Sequence, residues 1–160
     1  MKTLVLVRHA KSSWDHPELD DHDRPLNARG RRDAPEMGRR LRERGLVPDA
    51  VLSSTAVRAR STAAAIVDAL GLRADAVVLD ERLYGSSPAT ILGVVGELDD
   101  ALETAMVVAH DPGLSDLASE LSDTIEHMPT SAVAEFRFRV ASWSELGDAE
   151  PVEIRFDTPH

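Results

Sequence analysis

The sequence predicts a three-layer α/β/α fold with a mainly parallel central sheet and an antiparallel edge. Short apolar segments alternate with segments of helical periodicity as far as Leu121, and this alternation is typical of a parallel sheet covered by helices. Towards the carboxyl end, two segments instead alternate apolar and polar residues, as strands near a sheet edge do. A length of 160 residues suits one domain, so we expect residues 1–160 to form a single domain.

The composition excludes several classes of protein. The chain is 42% hydrophobic and 29% charged, as globular proteins are. Its formal net charge of -10 argues against general nucleic-acid binding. There is no cysteine, so neither disulfides nor Cys-based metal sites are possible. No apolar run has the length of a membrane span or a signal peptide. We expect a cytoplasmic protein without a membrane partner.

The first strand leads directly into two ionisable residues. Thr3–Val7 is a short apolar run of the kind that forms a buried strand, and Arg8 and His9 follow it. Ligands bind at the carboxyl ends of strands in open α/β sheets, which is where this pair would lie. The alternative is an ordinary strand that stops at a polar loop.

The next two segments are a loop and a helix. Ser12–Asp23 has no periodicity and reads as an acidic surface loop, whose histidines match no metal-ligand spacing. Asn27 is a plausible helix N-cap and Gly45 a plausible C′ residue. Pro35 interrupts the pattern between them, so the helix either kinks there or is replaced by a second one beginning near Asp33.

The remaining elements follow the same alternation. Apolar runs predict further strands at Ala50–Leu52, Ala76–Leu79 and Thr104–Ala109. Apolar periodicity and capping residues predict helices at Thr55–Leu70, Ser87–Leu98 and Leu114–Leu121. The alternating segments, expected to pair antiparallel, are Ala134–Val140 and Val152–Asp157.

Four residues could converge on one anion. Arg8 and His9 end the first strand, His110 ends the fourth, and Arg58 lies in the first turn of the helix after the second strand. Arginines grip phosphate oxygens bidentately, and the amino end of a helix adds positive potential. This arrangement suits phosphoryl transfer, in which an unprotonated imidazole could be the nucleophile. There is no GxxxxGK or GxSxG motif.

Four segments in order carry a family resemblance. They are Leu6–Trp14 (LVRHAKSSW), Pro25–Asn27 with Gly30, Ser53–Ala63 (SSTAVRARSTA) and Ala109–Gly113 (AHDPG). Together they resemble the motifs of the histidine phosphatase superfamily, the phosphoglycerate mutase-like group, and look most like its SixA-type phosphohistidine phosphatases. The resemblance implies a phosphoglycerate mutase-like fold.

The resemblance also implies roles for the matching residues. His9 would attack phosphorus and form a phosphohistidine intermediate that water hydrolyses. Arg8, Arg58 and His110 would bind the phosphoryl oxygens. Thr62 matches the threonine that the family usually has in the motif containing Arg58. Ser12 and Arg24 would line the entrance or touch phosphate, with neither a metal nor another cofactor. Ala10 stands where much of the superfamily has glycine; SixA-type members often carry alanine there.

The proton donor is a separate question. The segment DERLYG resembles the one that carries the acid in the mutases, which favours Glu81. The alternatives are that Glu81 is a surface carboxylate or pairs with Arg82, and that His110 or Asp111 assists. An imidazole with a reference pKa near ~6.5 leaves more easily than a sugar alkoxide, so a phosphohistidine phosphatase could work with a weak acid or none.

The favoured function is therefore a phosphatase acting on phosphohistidine of a protein, such as a carrier or phosphorelay domain. The alternatives are a small-molecule phosphomonoesterase of the same superfamily and a noncatalytic phosphate-binding module. A short chain without an obvious inserted lid favours a protein-borne phosphate and leaves little room for mutase activity.

Five other residues have plainer interpretations. We expect Trp14 and Trp143 to be packing or rim residues and His127 and His160 to be surface histidines. Lys11 either steers anions or simply faces solvent.

Overall fold

The computed structural model describes all residues, Met1–His160. Its strands are β1 (Lys2–Arg8), β2 (Ala50–Ser53), β3 (Val77–Leu79), β4 (Thr104–Ala109), β5 (Val133–Phe138) and β6 (Glu153–Asp157). Its helices are α1 (Ala28–Glu43), α2 (Val57–Ala69), α3 (Pro88–Gly96) and α4 (Gly113–Leu121). Short 3-10 helices cover Asp21–Asp23, Ala74–Ala76, Glu81–Leu83 and Trp143–Asp148.

All six strands form one sheet in the order β3-β2-β4-β1-β5-β6. The pairs β1–β4, β2–β4 and β2–β3 are parallel. At the other side, β5 pairs antiparallel with β1, and β6 pairs antiparallel with β5. The predicted fold class, a mainly parallel sheet with an antiparallel edge, is confirmed.

Strand β1 divides the core because its side chains alternate between the two faces of the sheet. Leu4 and Leu6 join a cluster that includes apolar residues of α3, α4 and the buried Trp143. Val5 and Val7 join a second cluster with residues of α1 and α2. Helices therefore cover both faces, which explains why the centre of β1, Leu4–Val7, is continuously apolar rather than alternating.

Helix α1 is continuous through Pro35, so the expectation of a second helix beginning near Asp33 is wrong. An interior proline costs about 3 kcal/mol, but Ala34, Met37 and Leu41 are fully buried. Their burial outweighs that cost, since each large apolar side chain contributes about 1.5–3 kcal/mol. The predicted cap is confirmed, because the Asn27 side chain accepts from the Gly30 N–H at 2.9 Å.

Gly30 brings α1 against the loop that follows β1. A Cβ at this position would overlap the carbonyl oxygen of Lys11, and that same carbonyl accepts a hydrogen bond from the Asn27 N–H at 2.9 Å. The start of α1 thus holds the chain just beyond His9 in place. No helix is both long and apolar enough to cross a membrane.

Candidate active site

A cleft of about 270 Å³ opens at the carboxyl end of β1. Its lining residues are Arg8, His9, Lys11, Ser12, Trp14, Arg24, Arg58, His110, Asp111 and Thr130. Except for Glu81, every site residue expected from the sequence lies here. The parallel pairing of β1 with β4 explains the meeting of the two histidines, because Arg8 is level with Ala109.

His9 is buried, with 7% of its surface exposed. Its Nδ1 lies 2.8 Å from the carbonyl oxygen of Ala10. A carbonyl only accepts, so Nδ1 carries the proton and Nε2 holds the lone pair of the neutral ring. Burial, together with the nearby arginines, lowers the His9 pKa from 6.5 to about 4. The ring is therefore neutral at pH 7, as a nucleophile must be.

His110 lies beside it, with ring centroids 5.1 Å apart. Its Nε2 is 2.7 Å from Ser54 Oγ, while its buried Nδ1 has no partner. Burial, reinforced by His9 and Arg58, lowers the His110 pKa to about 3. An unpartnered buried ring nitrogen costs free energy unless a ligand satisfies it, and His110 lines the cleft.

Two arginines also have a buried nitrogen without a hydrogen-bond partner. Arg8 donates from Nη1 to the Met128 carbonyl at 3.0 Å and lies 3.6 Å from the Asp111 carboxylate. Arg58 donates from Nη1 to the main-chain oxygen of Asp21 at 2.6 Å and from Nη2 to its carboxylate at 2.9 Å. The Nε atoms of both arginines are buried and unpartnered. Both guanidinium groups line the cleft, and charged donors there are what an oxyanion requires.

Arg24 and Ser12 form one side of the cleft. Arg24 Nη1 donates to Ser12 Oγ at 2.7 Å and to the Ser13 carbonyl at 3.2 Å. The guanidinium lies 3.6 Å from the centre of the Trp14 ring. Trp14 itself is 73% exposed and forms the rim, as expected. Arg24 is thus fixed in direction by a hydroxyl, a carbonyl and an aromatic face.

Asp21 is a site neighbour that the sequence did not reveal. Its carboxylate accepts from Tyr84 Oη at 2.7 Å and from Arg24 Nε at 3.1 Å, in addition to Arg58. The Tyr84 ring in turn lies 5.4 Å from the His110 ring. In the sequence, Asp21 was one of several aspartates in an aperiodic loop. Only the folded chain shows that two buried arginines converge on it.

Glu81 lies apart from these residues. It is exposed on the 3-10 helix Glu81–Leu83 and does not line the cleft. Pairing with Arg82 is wrong, because Arg82 pairs with Asp80 at 2.7 Å and Glu97 at 2.6 Å. Its assignment as the acid stays a prediction.

Ala10 and Thr62 connect the chain after β1 to helix α2. Both are fully buried. The Ala10 N–H donates to Thr62 Oγ1 at 2.8 Å, and that hydroxyl donates to the Arg58 carbonyl at 2.7 Å. Thr62 therefore fixes the backbone beside His9 relative to the turn that carries Arg58.

Trp143, His127 and His160 lie as the sequence predicts. Trp143 is a buried packing residue, as expected. His127 is exposed, with Nδ1 3.5 Å from the Asp111 carboxylate. His160 is exposed, as expected, and its Nε2 lies 3.1 Å from the buried Asp33 carboxylate.

Comparisons with known proteins support the same grouping. The family model described as histidine phosphatase superfamily (branch 1) matches residues 4–88. This chain belongs to the histidine phosphatase superfamily. An uncharacterised protein of Mycobacterium tuberculosis is 36% identical over 164 residues, covering 96% of this chain and 99% of the relative. A 2,3-bisphosphoglycerate-dependent phosphoglycerate mutase of Chelativorans sp. is 39% identical, over 52% of this chain and 43% of the mutase.

Solved structures agree at the level of the whole fold. The candidate phosphohistidine phosphatase SixA of Nakamurella multipartitia superposes with a TM-score of 0.81 at 30% identity, covering 96% of this chain and 95% of that one. The SixA counterpart from Agrobacterium tumefaciens gives 0.80 at 26% identity, with coverages of 96% and 97%. The chain therefore has the phosphoglycerate mutase-like fold of these SixA neighbours, and its family and neighbours support a phosphatase.

Proposed function

We propose that this protein is a metal-independent phosphatase in which His9 is the nucleophile, and that phosphohistidine on a protein is its favoured substrate. The observation that carries the proposal is the tautomer and the neutral charge of the His9 ring. Its Nδ1–H is held by the Ala10 carbonyl, and its low pKa keeps the ring neutral. A lone pair on Nε2 is thereby available in a cleft lined by arginines.

The reaction has two steps. The Nε2 lone pair of His9 forms a bond to phosphorus as the bond from phosphorus to the leaving group breaks, and the electron pair goes to that group. Water then attacks the phosphoryl group on His9, releasing inorganic phosphate and restoring the neutral ring. Arg8, Arg58 and His110 bind the phosphoryl oxygens in both steps, with Arg24 and Ser12 at the side of the cleft. Fixed cationic donors supply the charge stabilisation that phosphoryl transfer needs.

The leaving group favours phosphohistidine over a sugar phosphate. An imidazole whose reference pKa is about 6.5 needs far less help from an acid than an alkoxide does. Asp111 is the one carboxylate among the residues that line the cleft, and it lies 3.6 Å from Arg8 Nη1. The SixA neighbours support the same substrate class.

The test is phosphate release from a phosphohistidine-bearing carrier protein in the presence of a metal chelator. The parent protein is compared with His9→Ala, and with Lys11→Ala as a cleft-rim control. We expect release by the parent and the rim control and none by His9→Ala.

Four other outcomes would contradict the proposal. Equal release by the parent and His9→Ala would exclude His9 as the nucleophile. Loss of release on adding chelator would exclude a metal-independent mechanism. Faster turnover of a sugar phosphate than of the carrier would favour the small-molecule phosphomonoesterase, whereas binding of vanadate without release from any substrate would favour a noncatalytic module.

A further inference from the structure

The Asp21 carboxylate occupies an unexpected place for a site that binds anions. Its side chain is 52% exposed, yet it accepts hydrogen bonds from Arg58, Arg24 and Tyr84. Asp21 is therefore a fixed negative charge bonded to two of the arginines that line the cleft.

For phosphate binding alone, this charge is unfavourable. Arg8, Arg24 and Arg58 line the cleft, and their combined positive charge attracts any phosphate dianion. A carboxylate beside two of them reduces that attraction for every phosphorylated substrate alike. Its presence beside these arginines is explained if a neighbouring negative charge stabilises the substrate's leaving group.

A phosphorylated imidazole is a leaving group of that kind. If its distal nitrogen carries a proton, the bond from phosphorus to the proximal nitrogen breaks to give a neutral imidazole, which keeps that proton. Without the proton, the same step must expel an imidazolate anion, a far poorer leaving group. The reactive form is thus a cation, and a cation next to three arginines is disfavoured unless a carboxylate balances them.

We propose that Asp21 is a specificity-determining residue, which favours phosphohistidine over phosphate esters by placing its carboxylate beside the distal N–H of the substrate's imidazole. This inference rests on the proposed function of His9. An ester has no such N–H. For an ester, Asp21 therefore only weakens the attraction between the arginines and the phosphate dianion. Asp21 therefore favours one substrate class and disfavours the other.

The surroundings of Asp21 keep it ionised. The hydrogen bond from Tyr84, followed by those from the two arginines, holds the pKa of the Asp21 carboxyl well below its usual range. The same hydrogen bond raises the pKa of Tyr84. The charged and titratable groups that face Asp21 or the Tyr84 ring are Arg24, Arg58, His22 and His110.

The experiment compares Asp21→Asn with Asp20→Asn. Asparagine keeps the size of the side chain and an acceptor for Arg58 but loses the charge. Asp20 is exposed and its side chain makes no hydrogen bond or ion pair, so its variant removes the same charge one residue away. The probes are phosphoimidazole and p-nitrophenyl phosphate, and the quantity is the ratio of their kcat/KM values.

We expect the ratio of phosphoimidazole to ester turnover to fall about tenfold in Asp21→Asn, which corresponds to about one unit in the pKa of the bound imidazole. The alkaline limb of the phosphoimidazole profile should move to lower pH, because the protonated form is no longer stabilised. The pH profile for the ester should show no such movement. Asp20→Asn should keep the ratio of the parent protein, and Asp21→Glu should restore part of that ratio.

An equal fall in kcat/KM for both probes would overturn the inference, since it would mean that Asp21 only holds the arginines in place. An equal rise in kcat/KM for both probes would also overturn it, since Asp21 would then only hinder the binding of phosphate. If the parent releases phosphate from the phosphohistidine carrier while the ratio is the same in Asp21→Asn, this inference fails and the proposed function stands. If the parent hydrolyses neither the carrier nor phosphoimidazole, both fail.

Discussion

At the scale of single residues, the cleft depends on two histidines that folding keeps neutral. Burial first, and then neighbouring positive charge, lowers the pKa of His9 to about 4 and that of His110 to about 3. Both values are far below the 6.5 of an unfolded histidine. The arrangement that provides a nucleophile at neutral pH therefore makes the folded chain sensitive to acid.

The first prediction concerns stability against pH. Between pH 6.5 and about pH 4 the unfolded chain binds more protons than the native one, so stability is full above pH 6.5 and declines as the pH falls. We expect each buried histidine to account for about 2 kcal/mol of lost unfolding free energy between pH 7 and pH 5. Urea titrations at both values measure the loss. A His9→Asn variant that loses as much as the parent would contradict the assignment to His9.

A second prediction concerns Thr62 as a positioning residue. Thr62→Val keeps the shape but leaves the buried Ala10 N–H without its acceptor, at a cost of about 1–3 kcal/mol. It also frees the backbone beside His9, so kcat should fall about tenfold, a loss of about 1.4 kcal/mol in the transition state, with a smaller change in KM. Thr62→Ser keeps the hydroxyl and should restore most of kcat. A valine variant with lowered stability and an unaltered kcat would show a purely structural role.

The placement of the site residues was predictable to different degrees. Arg8, His9 and His110 follow apolar strands in the sequence, and parallel strands end at one edge of a sheet, so their meeting could be expected. Asp21 could not be found this way, because an aperiodic loop has no pattern that fixes where its side chains lie. The orientation of Glu81 depends in the same way on a loop whose course only the structure shows.

At the scale of elements, the site depends on how closely α1 approaches the loop after β1. Gly30 lies in the first turn of α1, where a Cβ would overlap the Lys11 carbonyl. Gly93 lies inside α3, with open space where a Cβ would be. Gly30 and Gly93 therefore serve as a matched pair of helical glycines, one in tight contact and one in open space.

The third prediction follows from this pair. Gly30→Ala should destabilise the protein by about 1–3 kcal/mol through overpacking and lower phosphatase activity, since the displaced loop adjoins His9. Gly93→Ala should stabilise it by about 0.5–1 kcal/mol, because alanine is the better helix former. Denaturant unfolding measures both. Equal effects from the two substitutions would show that helix propensity, and not the contact with Lys11, decides the outcome at Gly30.

At the scale of the whole molecule, one sheet takes strands from both ends of the chain. The alternation of apolar segments was enough to predict its parallel part, and the period-two segments predicted its antiparallel edge. The strand order was not predictable in the same way, since periodicity does not say which strands become neighbours. We propose that residues 1–160 form a single histidine phosphatase domain, because β1 lies between β4 and β5 in the sheet.

The fourth prediction is that the chain unfolds in one cooperative transition. Trp143 is 1% exposed and Trp14 is 73% exposed, so in a Trp14→Phe variant tryptophan fluorescence reports on the core alone. Its denaturation curve should coincide with that of far-ultraviolet circular dichroism, as for a two-state domain. Two separated transitions would show that the chain contains independently folding parts.

The most direct test of the central claim is to trap the covalent intermediate. The parent protein is mixed with an excess of phosphohistidine carrier and quenched in alkali during turnover, and its peptides are mapped by mass spectrometry. We expect one phosphoryl group on His9, lost in acid and absent from His9→Ala. A phosphoryl group on another residue, or steady release of phosphate with none on His9 at any time, would contradict it.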